Sequence, residues 1–151
     1  MTEFLLMIHA TTGAMAIMAT IWVFVETLNA SMLNRVRLVW GSMIAAVLMA
    51  VTYVAGGYWY VTYYAADKAV ILAGPWPMAH KLVMEFKEHM FFATLFLSLI
   101  LPIIIRGNNL VTNRGARMLV YVIAALVILT AFAWEGAGAF ISMAVRLGLM
   151  K

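Results

Sequence analysis

The chain contains no cysteine, which removes disulfides, zinc–thiolate sites and iron–sulfur clusters together, since each needs thiolate sulfur. Charge is nearly as scarce. Only 11% of the 151 residues are Asp, Glu, Lys or Arg, where a soluble domain carries about a quarter. A chain this poor in charge cannot cover itself with a hydrated surface. Proline occurs at three positions only, Pro75, Pro77 and Pro102, so long stretches run without a helix breaker. Also missing are a nucleophile–base pair, a phosphate loop and a nucleotide fingerprint, which argues against a self-contained enzyme with a water-filled active site.

What is present is apolar. Hydrophobic residues make up 66% of the chain and the mean hydropathy is +1.01. Crossing the hydrocarbon core takes about 20 such residues. Four segments satisfy this, at about 4–28, 36–58, 84–105 and 116–145, with a long connection over 59–83. The fold class is therefore an all-α membrane protein, a single domain built as a four-helix bundle. Glu3 precedes the first apolar run with no basic segment before it, which reads as a retained helix and not a cleaved leader. Tyr58, Trp59, Tyr60, Tyr63 and Tyr64 form an aromatic cluster suited to the headgroup level. The Gly74-Pro75-Trp76-Pro77 break follows, and Pro77 is well placed to open the third helix near Met78. Pro102 predicts a local bend in that helix.

The formal charge of +4 is a matter of topology and not a nucleic-acid footprint. Arg35, Arg37, Arg106, Arg114 and Arg117 lie in or beside the first and third connections. On the opposite side, acidic and basic residues nearly cancel. The arginine-rich side is expected to face the cytoplasm of a prokaryotic-type inner or plasma membrane, leaving both ends of the chain outside.

An offset of 80 residues aligns His9 with His89, Glu26 with Arg106, Arg37 with Arg117 and Gly56 with Gly136. This predicts two helical hairpins from an old duplication, a parallel repeat about an axis along the membrane normal. His9 and His89 then lie at one depth, facing each other across the bundle. Small-residue stripes at helical spacing give the faces. They are His9, Gly13, Ala16, Thr20, Phe24 on the first helix and Gly41, Ala45, Met49, Thr52, Gly56 on the second. The third carries Glu85, His89, Ala93, Phe96, and the fourth Leu129, Phe132, Gly136 with Glu135 beside them.

Two imidazoles at one level, with glycines where a flat ring would meet backbone, suit a haem b ligated by His9 and His89. Gly13, Gly56, Ala93, Glu135 and Gly136 line that cofactor site, and His9 and His89 are its metal ligands. Packing alone accounts for small-residue stripes, whereas ionisable residues inside a membrane point to function because they are costly to bury. A non-haem transition metal or a proton relay on His9, Glu85, His89 and Glu135 is an alternative, and a purely structural subunit is another. Glu26 and Arg106 are placed to pair near the inner surface. The methionines, Met84 and Met90 beside His89 included, read as adaptable apolar filling. Trp76, His80, Lys81 and Glu85 form a charged approach to the third helix, fit to dock a quinone headgroup or a partner.

Four spans with histidines on the first and third resemble the small four-helix membrane b-type cytochromes. Those families commonly carry two haems on four histidines; this chain has three histidines, two of them inside spans. The resemblance implies an electron-transfer protein or the anchor subunit of a redox complex. It would hold one haem b and exchange electrons with quinone or an outer-side partner, among other membrane subunits, with no nucleic acid involved.

Overall fold

The computed structural model of the chain describes residues 2–150. Four helices form a ring in sequence order: α1 (Thr2–Leu28), α2 (Arg35–Ala73), α3 (Glu85–Gly107) and α4 (Arg114–Leu149). Each packs on the one before it, and α4 closes against α1. All four are long and apolar enough to cross a membrane. The expected all-α four-helix bundle is the architecture found.

The expected connection over 59–83 is mostly helix. With no proline before Pro75, nothing stops α2, and its 39 residues run straight through the aromatic cluster. At 1.5 Å per residue it is about 58 Å long, nearly twice the thickness of a hydrocarbon core. It stops at Ala73 because Gly74 and Pro75 follow, and a residue before proline is pushed out of the helical region. After a turn of five residues the chain re-enters a helix through a π-helical segment, Ala79–Met84, continuous with α3. Pro102 sits inside α3, which continues to Gly107.

Since α2 and α4 overrun their partners, the bundle has two unlike ends. At the hairpin end the two short connections lie together. Glu26 there pairs with Arg37 at 2.8 Å, and Asn34 donates to the same carboxylate at 2.8 Å. The expected Glu26–Arg106 pair does not form; the Arg106 Nη1 instead lies 3.9 Å from the Met43 sulfur. Arg37 is nearer because the first connection folds back tightly on buried Asn34. At the other end, the last turns of α2 and α4 and the π segment make a helical cap. Its own small core includes Trp59, Tyr64, Ile71, Met84 and Ile141.

The cap is held by a close helix approach. A Cβ placed on Gly148 would sit 2.8 Å from the Val70 carbonyl oxygen and 2.6 Å from its Cγ1. Backbone cannot give way as a flexible side chain can, so Gly148→Leu is expected to splay α4 from α2. We expect a loss of about 1–3 kcal/mol in an unfolding titration, with limited proteolysis appearing first in the cap. Gly107→Leu, where a Cβ meets nothing within 4 Å, is the matched control.

Each hairpin is tied by an interhelical threonine pair. Thr12 and Thr52 hydroxyls are 2.7 Å apart in the first, and Thr94 donates to Thr130 at 2.9 Å in the second. If Thr94 stands for Thr12, then Phe91 and not His89 stands in the place of His9. A displacement of two residues turns a side chain about 200° around an α-helix. The stripes expected on the second hairpin accordingly face outward: His89, Ala93, Phe96, Leu129, Phe132 and Gly136 are all exposed. The buried face of α3 runs through Phe91, Thr94, Ser98, Leu101 and Ile105. The first hairpin obeys the sequence pattern, with Gly13, Ala16, Thr20, Gly41, Ala45, Met49 and Thr52 all buried.

Candidate functional site

A cavity of about 820 Å³ opens at the cap end, between the start of α1 and the upper turns of α2, α3 and α4. Its size falls within the range of small-molecule and cofactor sites, roughly 300–1,000 Å³. His9 lies in the second turn of the described α1, and Gly56 beside it has nearly five further turns of α2 to come, which form one wall of the cavity. The walls are mainly apolar and aromatic, and into them project His9, Tyr60, Asp67, Lys87, Glu88 and Glu135.

His9 is held in one orientation. Its Nδ1 lies 2.9 Å from the Thr52 carbonyl oxygen. A carbonyl only accepts, so Nδ1 carries the proton and donates, and in the neutral ring Nε2 keeps the lone pair. The Thr12–Thr52 hydroxyl bond fixes α2 against α1 one turn further along. Gly56 lies flat against the imidazole: a Cβ there would come within 2.5 Å of Nδ1 and 2.7 Å of Cε1. Glu135 reaches across from α4 and packs its Oε1 against Gly13, where any side chain would collide with it. A second, water-sized space of about 10 Å³ lies between His9, Thr52, Lys87 and Glu135 just below the main cavity.

Two buried polar atoms of cavity-lining residues have no hydrogen-bond partner: the Trp59 indole Nε1, a donor, and the Glu88 Oε1, an acceptor. Buried polar groups are nearly always satisfied. Both atoms are covered by their neighbours, so a ligand reaches them only when these side chains turn toward the cavity.

The expected residues divide as follows. His9, Gly13, Gly56 and Glu135 come together, as the sequence reading placed them. His89 does not join them. It is exposed on α3, with its Nδ1 donating to the Glu85 carbonyl one turn back at 2.6 Å. Ala93 and Gly136 are exposed with it, on the outer face of the second hairpin. A haem held between His9 and His89 is therefore not what the bundle arranges. Nor does Glu85 share a site with His89, because its carboxylate turns toward His80 instead, at 3.6 Å. Among the described residues no three His, Asp or Glu side chains are grouped to hold a metal ion. Of the charged approach, Lys81 is exposed and Trp76 stacks on Phe140 with ring centroids 5.1 Å apart, but His80 is buried in the cap.

Sequence reasoning missed Lys87, Glu88, Trp59 and Tyr60. Charges just before an apolar run, as Lys87 and Glu88 are, ordinarily face water and so give no sign of a site. The overlooked signal was the uninterrupted helical period through 59–73, which carries Trp59, Tyr60 and Asp67 along one continuing helix and raises a wall beside Lys87 and Glu88. Comparison with known proteins adds no name: no family model, no curated protein and no solved structure matches this chain.

Proposed function

We propose that the chain is an integral membrane subunit of a redox system. In this reading it binds a lipophilic quinone or hydroquinone in the cap-end cavity and passes electrons between it and a partner. The arginines of the hairpin end support an orientation with that end in the cytoplasm, and in this reading the cavity faces the outer side of a prokaryotic-type plasma membrane. The observation that supports the reading is a largely apolar cavity lined by His9, whose Nε2 keeps a lone pair, and by Trp59 and Glu88, whose buried Nε1 and Oε1 lack partners. A hydroquinone hydroxyl accepts from an indole and donates to a carboxylate, and its second hydroxyl has an acceptor in His9.

The chemistry is balanced by proton acceptors and one electron sink. On oxidation the two O–H bonds break and two carbonyls form. One proton goes to His9 Nε2 and the other to the Glu88 carboxylate, and two electrons leave singly to a one-electron carrier, haem or iron-based, on a partner chain. Glu135 lies within the same walls, and its carboxylate offsets the positive charge that builds up.

Binding is tested on protein in lipid nanodiscs by titrating a short-tailed naphthoquinone and following quenching of Trp59 fluorescence. Saturable quenching is expected. His9→Ala and Glu88→Gln are each expected to weaken it about 10- to 100-fold, the worth of a hydrogen bond to a charged or fixed partner. Quenching that never saturates in the wild-type protein would sink the reading.

A haem b on His9 is a second reading. It is favoured by the Nδ1–H bond to Thr52, since metal-bound imidazoles characteristically donate their other nitrogen to a carbonyl. His9 would be the ligand and Gly56 the close approach at its ring, and the group would supply one-electron chemistry. The absorption spectrum separates the readings: a Soret band lost in His9→Ala and kept in His89→Ala would select this one.

A further inference from the structure

His80 takes no part in the cavity, yet it is the most deeply buried histidine of the chain, 5% exposed within the cap. Its Nδ1 lies 3.1 Å from the Tyr64 hydroxyl and its Nε2 lies 3.6 Å from the Glu85 Oε1. The carboxylate end can only accept, so the consistent arrangement has Nε2–H directed at Glu85 and Tyr64 O–H donating to Nδ1. Every proton in that chain then points the same way, from Tyr64 toward Glu85. Glu85 is part-exposed and reaches the surface, while Tyr64 is 2% exposed and looks inward.

The inner end meets the cavity. The Tyr64 ring stacks on Tyr60 at 5.1 Å and lies beside Trp59 at 5.8 Å, and both of those residues are on the cavity wall. Glu88, the acid with the unpaired oxygen, lines the cavity together with Trp59 and Tyr60. Through its ring contact with Tyr60, Tyr64 joins the cavity wall to His80 and Glu85.

The π-helical segment makes the outer half of this possible. In an α-helix, residues five apart point about 140° away from each other. The wider i→i+5 winding brings them over one another. Across Ala79–Met84 the Glu85 N–H donates to the His80 carbonyl, and the two side chains meet as a result. π-helical turns are scarce and recur at functional sites, and here the winding has a definite product.

We propose that Tyr64, His80 and Glu85 form the route by which protons released in the cavity reach the outer surface. This rests on the hydroquinone reading, in which each oxidised ligand gives up two protons that must leave before the next arrives. His80 takes a proton from Tyr64 at Nδ1 as it hands one to Glu85 from Nε2; Glu85 then releases its proton to water, the Tyr64 phenolate takes up the proton arriving from the cavity, and a flip of the imidazole ring restores the starting arrangement. Its role is to move protons; it touches neither ligand nor electron carrier.

The test is reoxidation of the bound hydroquinone by ferricyanide, two equivalents per ligand, in nanodiscs holding one naphthoquinol per protein at concentrations far above the dissociation constant. Stopped-flow absorbance follows the quinone formed. His80→Gln is expected to slow reoxidation by about two orders of magnitude, within the usual range for loss of a positioned acid–base group, with an unchanged dissociation constant. Added imidazole should restore part of the rate. Tyr64→Phe keeps the buried ring and should be as slow, so a folding defect in His80→Gln does not decide the matter. Wild-type rates in both variants would overturn the route while leaving the binding site standing. Failure of the wild-type protein to bind naphthoquinol would overturn both.

Discussion

Replacing Gly56 by valine is expected to abolish ligand binding at concentrations that saturate the wild-type protein. The Cβ alone would sit 2.5 Å from the His9 Nδ1 and 2.7 Å from its Cε1, closer than real Cβ contacts come. α1 cannot withdraw, because Thr12 and Thr52 tie it to α2 one turn below. The imidazole must therefore swing out of its bond to the Thr52 carbonyl, and its lone pair no longer addresses the cavity. We expect an affinity loss of about 100-fold or more, with an overpacking cost of roughly 1–3 kcal/mol in stability. Two control variants separate the two effects. Gly57→Val adds the same branched side chain one residue on, where a Cβ meets nothing within 4 Å, and should leave stability near wild type; Gly136→Val, equally free of contact and outside the cavity lining, should leave affinity near wild type as well. Equal loss in the three variants would mean that helix propensity, and not contact with His9, sets the outcome.

The largest effect on stability is expected from Trp134→Ala. Trp134 is 8% exposed in the centre of the bundle, and its Nε1 donates to the Thr94 hydroxyl at 2.9 Å. That hydroxyl in turn donates to Thr130, so one side chain joins α3 to α4 through both packing and a hydrogen-bond chain. Truncation leaves a large void and strands a buried hydroxyl group, and a cost of about 3–5 kcal/mol is expected for an aromatic removed from a core. The hydrogen bond itself is the smaller part. Trp134→Phe retains most of the ring and should lose only about 0.6 kcal/mol, the average worth of an interhelical bond in a membrane bundle. Unfolding titrations in mixed micelles measure both. If the phenylalanine variant lost as much as the alanine variant, the polar chain and not the packing would hold the second hairpin.

Much of the architecture was legible in residue order. Scarcity of charge and four long apolar runs dictate helices, because backbone groups in hydrocarbon must be satisfied within the segment. Two arginine-rich connections and the Gly74–Pro77 break settle the number of helices. The candidate site was half legible: His9, Gly13, Gly56 and Glu135 were read together, since an ionisable residue on a stripe of small ones marks where a helix faces its partners. Which face of the second hairpin turns inward was not. In helices apolar on every side, hydrophobic period carries little directional information, and an 80-residue offset that aligns histidines misses by two residues the register chosen by the threonine pairs. A slip that small reverses a face, and it sends His89 outward. Only the tertiary structure could decide this, because the register is fixed by hydroxyls of different helices meeting across the bundle. It also decided the cavity, where His9, Gly56 and Glu135 meet charges of α3 that are walled in by the continuing turns of α2.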